Sequence, residues 1–151
     1  MYSVSKKFIF PAIAVIVIAA VYAFNNPKVN FKADKAEGIQ FHRGGWKDAL
    51  QAAKKENRLI FLDIYATWCG PCKKLKKNTF SSKEAGVFYN AKFINVTLDG
   101  EQGDGAILAR QYNISGYPSL LFIDATGKLI TLAGGYHNPG ELLELGKSVS
   151  K

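Results

Sequence analysis

The chain has 151 residues, enough for one domain with a buried core; without an N-terminal targeting segment roughly 110–125 residues remain to build it. Apolar residues make up 48% and charged residues 21%, a globular composition that excludes a disordered chain. The formal charge of +8 is not a nucleic-acid footprint: Lys6 and Lys7 account for two charges, and of the remaining lysines only Lys73, Lys74, Lys76 and Lys77 cluster.

Met1 to Lys7 is short and basic, and it precedes an uncharged run from Phe8 to Phe24, FIFPAIAVIVIAAVYAF, that turns polar at Asn25, Asn26 and Pro27. This pattern predicts a hydrophobic helix acting as an export signal. Two fates fit it. Val21 and Ala23 are small enough for cleavage after Ala23, whereas the length and the Ile/Val density favour retention as a membrane anchor over residues 1–24. Lys28, Lys32, Lys35 and Arg43 on the far side compete with Lys6 and Lys7, so charge counting leaves the orientation open.

Residues 25–45 carry no helical or strand period and read as a linker or lead-in, with an edge strand expected near Ile39 to His42. Trp46, Ala49, Leu50 and Ala53 recur at helical spacing and predict an amphipathic helix over about 46–57. Leu59 to Ala66, LIFLDIYA, is a continuous apolar run broken only by Asp63, as in a central strand buried on both faces. Thr67 to Cys72 then turns into a helix bearing the lysine cluster. Ser81 with Glu84 forms a capping-box pattern for a helix to about Tyr89, and Phe93 to Leu98 is the next strand. Asp99 to Gly105, DGEQGDG, reads as a polar loop, followed by a helix from Ala106 to Tyr112. Ser119 to Asp124 and Lys128 to Ala133 predict an antiparallel hairpin. Asn138 as N-cap, Pro139 at the first helical position and Glu141 at the third open a final helix. Together these elements predict an α/β fold with a mixed central sheet and helices on both faces.

The chain contains two cysteines, Cys69 and Cys72, too close to brace a small secreted domain and spaced as a reactive pair. At a helix start the first thiol lies at the positive end of the helix dipole and the second one turn further in. Cys69, near unpaired backbone N–H groups and Lys73, is therefore the expected thiolate nucleophile; Cys72 is the shielded thiol that resolves the mixed disulfide. Pro71 loses nothing by lacking an N–H in the first turn, and Gly70 lets a substrate chain approach closely. Asp63, six residues before Cys69 on the buried strand, is expected to be desolvated, with a raised pKa, and to accept the proton of Cys72.

The segment YATWCGPCKKLKKNTF, with the later GYPSLLFID, resembles the thioredoxin superfamily, whose motif is WCGPC and whose distant loop carries a cis-proline. The resemblance covers Trp46 to the C-terminus, which defines a domain over 46–151, and implies a thioredoxin fold. Within the superfamily the chain is most similar in appearance to exported thioredoxin-like proteins and to the C-terminal domain of the bacterial transmembrane thiol:disulfide interchange reductase. The resemblance implies that Pro118 is the cis-proline facing the cysteines, that Tyr117 offers backbone groups to an extended substrate, and that Gly135 lines the same groove as Trp68, Gly70 and Pro71. One departure is visible: where cytoplasmic thioredoxins place a lysine near the buried Asp, this sequence has Asn95 or a neighbour.

The expected function is therefore disulfide reduction in exported proteins by the Cys69/Cys72 dithiol, with no cofactor or metal. An upstream membrane or soluble thiol reductant would recharge the pair, in a monomer placed outside the cytoplasm. Two alternatives stay open: an oxidase or isomerase of the same fold, and a CxxC metal carrier completed by His42 and His137.

Overall fold

The computed structural model describes residues 37–150, so the hydrophobic helix expected within residues 1–24 and the lead-in up to residue 36 lie outside the described residues. Among the described residues no helix is long and apolar enough to cross a membrane. The elements run α1 (Trp46–Glu56), β1 (Leu59–Tyr65), α2 (Gly70–Lys74) continuing into a π-helical turn (Leu75–Thr79), α3 (Lys83–Lys92), β2 (Phe93–Asp99), α4 (Gly103–Gln111), β3 (Ser119–Ile123), β4 (Leu129–Gly134) and α5 (Pro139–Val149).

The strands form one sheet in the order β2-β1-β3-β4; β1 and β2 are parallel, and the β1/β3 and β3/β4 pairs are antiparallel. β1 lies inside because its sequence offers apolar side chains to both faces. Ile60, Leu62 and Ile64 pack on one side with Ala49 and Ala53 of α1 and Leu108 and Ala109 of α4. Phe61 points the other way, where Leu75, Ala85, Tyr89, Phe122 and Leu142 close over it. Helices thus cover both faces, α1 and α4 on one, and α2, α3 and α5 on the other. Burying each large side chain of these two cores stabilises the fold by about 1.5–3 kcal/mol.

Four local expectations are corrected. Ser82, not Ser81, caps α3: its hydroxyl accepts the Ala85 N–H at 3.5 Å, while Ser81 Oγ donates backwards to Lys77 O at 2.5 Å. α4 starts at Gly103, three residues before the predicted helix, so its first turn is built from the polar GDG sequence. Residues 39–42 form no strand, because the Ile39 N–H donates to Phe80 O and the His42 N–H to Asn95 O, each at 2.7 Å, and bonds to two separate partners make no ladder. The lead-in is nevertheless held close: a Cβ on Gly86 would come within 2.6 Å of the Gly38 carbonyl group, so only glycine lets α3 lie against it. Finally, the lysine-bearing helix widens at Leu75–Thr79, where the Phe80 N–H donates to Leu75 O at 3.0 Å, five residues back. The extra residue turns Thr79 inward, and its hydroxyl donates to His137 O at 2.7 Å.

Tyr89 ties α3 to α5: its ring is fully buried, and its hydroxyl donates to Leu142 O at 2.7 Å. Burial raises its phenol far above the ordinary value. Tyr89→Phe keeps the ring and removes this bond, so urea denaturation should show a loss of about 1 kcal/mol with an unchanged m-value.

Candidate active site

β1 ends at Tyr65, and the chain turns through Ala66, Thr67 and Trp68 so that Cys69 becomes the N-cap of α2 with Pro71 in its first turn. Cys69 and Cys72 are joined by a disulfide, with Cα atoms 5.3 Å apart. The Cys72 N–H donates to Cys69 Sγ at 3.1 Å. A helix-start N–H aimed at this sulfur favours negative charge on it once the bond is opened. The expected contrast in which Cys72 is the more shielded thiol is not seen in this disulfide-bonded form: Cys69 is 3% and Cys72 8% exposed. The two sulfurs differ instead in their surroundings, because Cys72 lines a cavity that also reaches Asp63.

That cavity, of about 440 Å³, is lined by Asp63, Thr97, Cys72, Lys73 and Lys76, with Phe41 and Phe80 as apolar walls. Asp63 points to the α2 face because it follows Phe61 in strand alternation. Thr97 Oγ1 donates to its Oδ2 at 2.9 Å, and Oδ1 has no hydrogen-bond partner among the described residues. Burial pushes the Asp63 carboxyl up to about 7, against the opposing pull of the Thr97 hydrogen bond and the Lys76 charge. Asn95 is not the residue beside it. It pairs with Phe61 in the strand register, and its amide donates to Gln40 O at 3.3 Å and Asn90 Oδ1 at 3.1 Å, while Thr97 stands opposite Asp63.

The residues expected to bind substrate gather at the same end of the sheet. Trp68 is 68% exposed, its Nε1–H donates to Glu101 Oε1 at 3.0 Å, and its ring meets that of Tyr117 edge to face at 6.1 Å. Tyr117 packs against the group formed by Ala66, Cys69 and Cys72. Burial, with Glu101 and Asp99 nearby, raises its phenol pKa. The Tyr117–Pro118 bond is cis, and Pro118 O accepts the Gly135 N–H at 2.8 Å, so Tyr117, Pro118 and Gly135 share a cleft of about 220 Å³. Gly135 has φ +87°, a conformation glycine adopts freely. At Gly70 nothing lies within 4 Å of where a Cβ would stand, which leaves open space beside the disulfide.

Three residues of this arrangement are not marked by the sequence as parts of a site: Thr97, Lys76 and Glu101. Thr97 shares its strand face with Phe93 and Asn95 and could be found by alternation, but only the register of the β1/β2 pair puts it opposite Asp63. Lys76 carries a signal as part of the lysine cluster. Among the described residues the ion pairs are Arg58–Glu56, Lys83–Glu37 and Lys147–Glu144, none of which engages that cluster, while Lys74 lies 4.3 Å over the Tyr136 ring. Also among the described residues, no group of three or more His, Cys, Asp or Glu side chains could hold a metal ion.

Comparison with known proteins places these features in a family context. The profile of the thioredoxin-like domain matches residues 46–150. The thiol:disulfide interchange protein DsbD of Yersinia pestis is 31% identical over 115 residues, covering 74% of this chain and 19% of that protein. DsbD of Tatumella citrea is 32% identical over 129 residues, covering 81% and 22% respectively. The chain thus spans about a fifth of the length of these curated relatives. A solution structure from Bacteroides thetaiotaomicron, provisionally described as a disulphide-isomerase, is 35% identical with a TM-score of 0.66, covering 78% of this chain and 99% of that one. The oxidised DsbD C-terminal domain of Neisseria meningitidis, 20% identical with a TM-score of 0.59 over 75% of this chain and 99% of its own, shares the fold.

The Asp63 carboxyl has a consequence for stability. Its pKa of about 7 in the folded chain exceeds its ordinary value of 3.8, so between these pH values the folded state binds more protons and stability falls as pH rises toward 7. Each unit of difference is worth about 1.4 kcal/mol. Asp63→Asn removes this penalty, and chemical denaturation of the oxidised protein should find the variant more stable than the parent at pH 8 by about 2–4 kcal/mol, with the gap closing toward pH 4.

Proposed function

The chain belongs to the thioredoxin-like domain family over residues 46–150, and we propose that it is a thiol–disulfide oxidoreductase that reduces disulfides of other proteins through Cys69 and Cys72. The observation that carries this reading is the disulfide at the start of α2, with one sulfur on a helix N–H and the other opening onto the cavity of a buried carboxyl. In the reduced form the Cys69 thiolate attacks one sulfur of a substrate disulfide, forming a mixed disulfide and releasing the first substrate thiolate. Cys72 gives its proton to Asp63 across the shared cavity and attacks Cys69 Sγ. This closes the Cys69–Cys72 disulfide and frees the second substrate thiol. Two electrons pass from the dithiol to the substrate. With a carboxyl pKa of about 7, Asp63 is populated in both protonation states near neutrality, as such a proton acceptor requires.

The reducing direction is supported by the Gly70-Pro71 pair, which resembles that of reducing thioredoxins. Trp68, Gly70, Pro71, Tyr117, Pro118 and Gly135 form the substrate-binding surface in this reading, Cys69, Cys72 and Asp63 the catalytic group. Residues 1–24 serve as signal or membrane anchor, residues 25–45 as lead-in and residues 46–151 as the redox domain on the extracytoplasmic side. Disulfide-bearing exported proteins are its substrates, and a membrane or soluble thiol donor reduces it in turn. DsbD relatives carry the name of thiol:disulfide interchange proteins, in keeping with this assignment. A second reading, isomerase or oxidase, draws support from the Bacteroides thetaiotaomicron structure. Equilibration with glutathione separates the two: a reductase should lie near about −270 mV and an oxidase near about −120 mV.

The division of labour between the cysteines is tested by trapping. In Cys72→Ser, mixed disulfides with exported proteins should accumulate and disappear on adding dithiol, whereas Cys69→Ser should yield none. Non-reducing gels of acid-quenched cells read the outcome, and adducts formed through Cys72 alone would reverse the assignment.

A further inference from the structure

The loop after β2 is the part of the site that neither the cysteine pair nor the buried carboxyl explains. It leaves the strand at Asp99 and turns at Gly100, whose N–H donates to Tyr65 O at 2.8 Å, at the end of β1 that leads to the disulfide. Asp99 folds the turn onto itself, its Oδ1 accepting the Glu101 N–H at 2.9 Å and its Oδ2 the Gln102 side-chain amide at 3.3 Å. Gly100 lies directly against Tyr117: a Cβ there would stand 2.5 Å from a ring carbon and 2.7 Å from the phenol oxygen. With the turn drawn in so far, the Glu101 carboxylate reaches the Trp68 indole N–H at 3.0 Å. The opposite constraint on Trp68 is the edge-to-face contact with Tyr117, which itself packs against the cysteines.

We propose that Glu101 is a positioning residue of the redox site: it holds Trp68 as a fixed aromatic platform beside Cys69, on which the polypeptide segment flanking a substrate disulfide docks. This rests on the oxidoreductase function proposed above and assigns the specificity for polypeptide disulfides to the loop after β2. Trp68 is two-thirds exposed and adjacent in sequence to the nucleophile, so any segment delivering a disulfide to Cys69 passes over it. A free indole in solvent samples several rotamers and must be immobilised when a partner docks; one already held at its nitrogen and at its ring face loses little further freedom. A small disulfide that reaches Cys69 without covering Trp68 gains nothing from that arrangement. The carboxylate acts through Trp68, not on the sulfur.

The test compares second-order rate constants for oxidation of the pre-reduced full chain, in detergent, by a disulfide-linked peptide and by bis(2-hydroxyethyl) disulfide. Glu101→Ala should lower the peptide rate about three- to ten-fold relative to the small-disulfide rate, the range of one charge-assisted hydrogen bond at an exposed site. Glu101→Gln retains a carbonyl oxygen that accepts the indole N–H and should recover most of the loss. In a Trp68→Phe background, which has the ring but no N–H, Glu101→Ala should cost nothing more. Equal losses with both disulfides would overturn the proposal, as would a Glu101→Gln variant as impaired as Glu101→Ala. A full Glu101→Ala loss in the Trp68→Phe background would also overturn it and would make Glu101 a direct contact for a cationic substrate side chain. A wild-type chain that exchanges with neither disulfide would instead overturn the oxidoreductase reading beneath it.

Discussion

A carboxyl group stands in the middle of a strand that has no wet face, and the rest of the site is arranged around that constraint. β1 is covered by α1 and α4 on one side and by α2, α3 and α5 on the other, so Asp63 has no route to bulk water along its own strand. An ionised carboxylate in such a place costs several kcal/mol unless it is paired. Here the compensation is partial: one hydroxyl from Thr97 and the charge of Lys76, with one oxygen left facing a cavity. The group therefore stays poised between its two protonation states instead of settling into one, and the only other reactive atom opening onto the same space among the described residues belongs to Cys72.

The strand directions explain why the remaining parts converge. β1 and β2 run parallel, so the turn leading to Cys69 and the loop bearing Glu101 leave the sheet at one end. β3 runs the other way, with Ser119 opposite Ile64, so Tyr117 and Pro118 enter the sheet at that end. β4 reverses again and finishes there, with Gly134 opposite Ser119 and Gly135 just beyond. Four chain segments meet beside the disulfide without any of them being long. Loop placement follows from topology, and the chemistry follows from the few side chains that the loops carry.

Much of this arrangement is legible in the amino-acid order alone. The apolar run around Asp63 marks a doubly covered strand, Asn138-Pro139 with Glu141 marks a helix start that forms with both capping bonds, and the cysteine spacing marks the redox pair. What the order of residues does not reveal depends on contacts between distant segments. Asn95 and Thr97 look alike as polar residues on one strand, and only the pairing register decides which of them meets Asp63. The GDG start of α4 gives no apolar period, because that turn is built by backbone bonds and by Gly105 pressed against the Asp99 carbonyl. Glu101 sits in a loop whose composition says only that it is polar; its meaning comes from Trp68, 33 residues earlier in the chain.

The widened turn at Leu75–Thr79 bears on which changes of chain length the domain can absorb. A helix advances about 100° per residue, so deleting one residue there would restore ordinary helical winding and rotate everything before it by that angle relative to everything after it. The part after it is anchored, since Thr79 is bonded to His137 O and Phe80 is buried. The part before it carries Cys72, Lys73 and Lys76. A deletion would swing those three side chains off the Asp63 cavity while leaving the motif itself intact, so the count of residues from Cys72 to Phe80 is as much a component of the redox centre as the residues themselves. The loop after β2, by contrast, could lengthen beyond Gln102 without disturbing either sulfur.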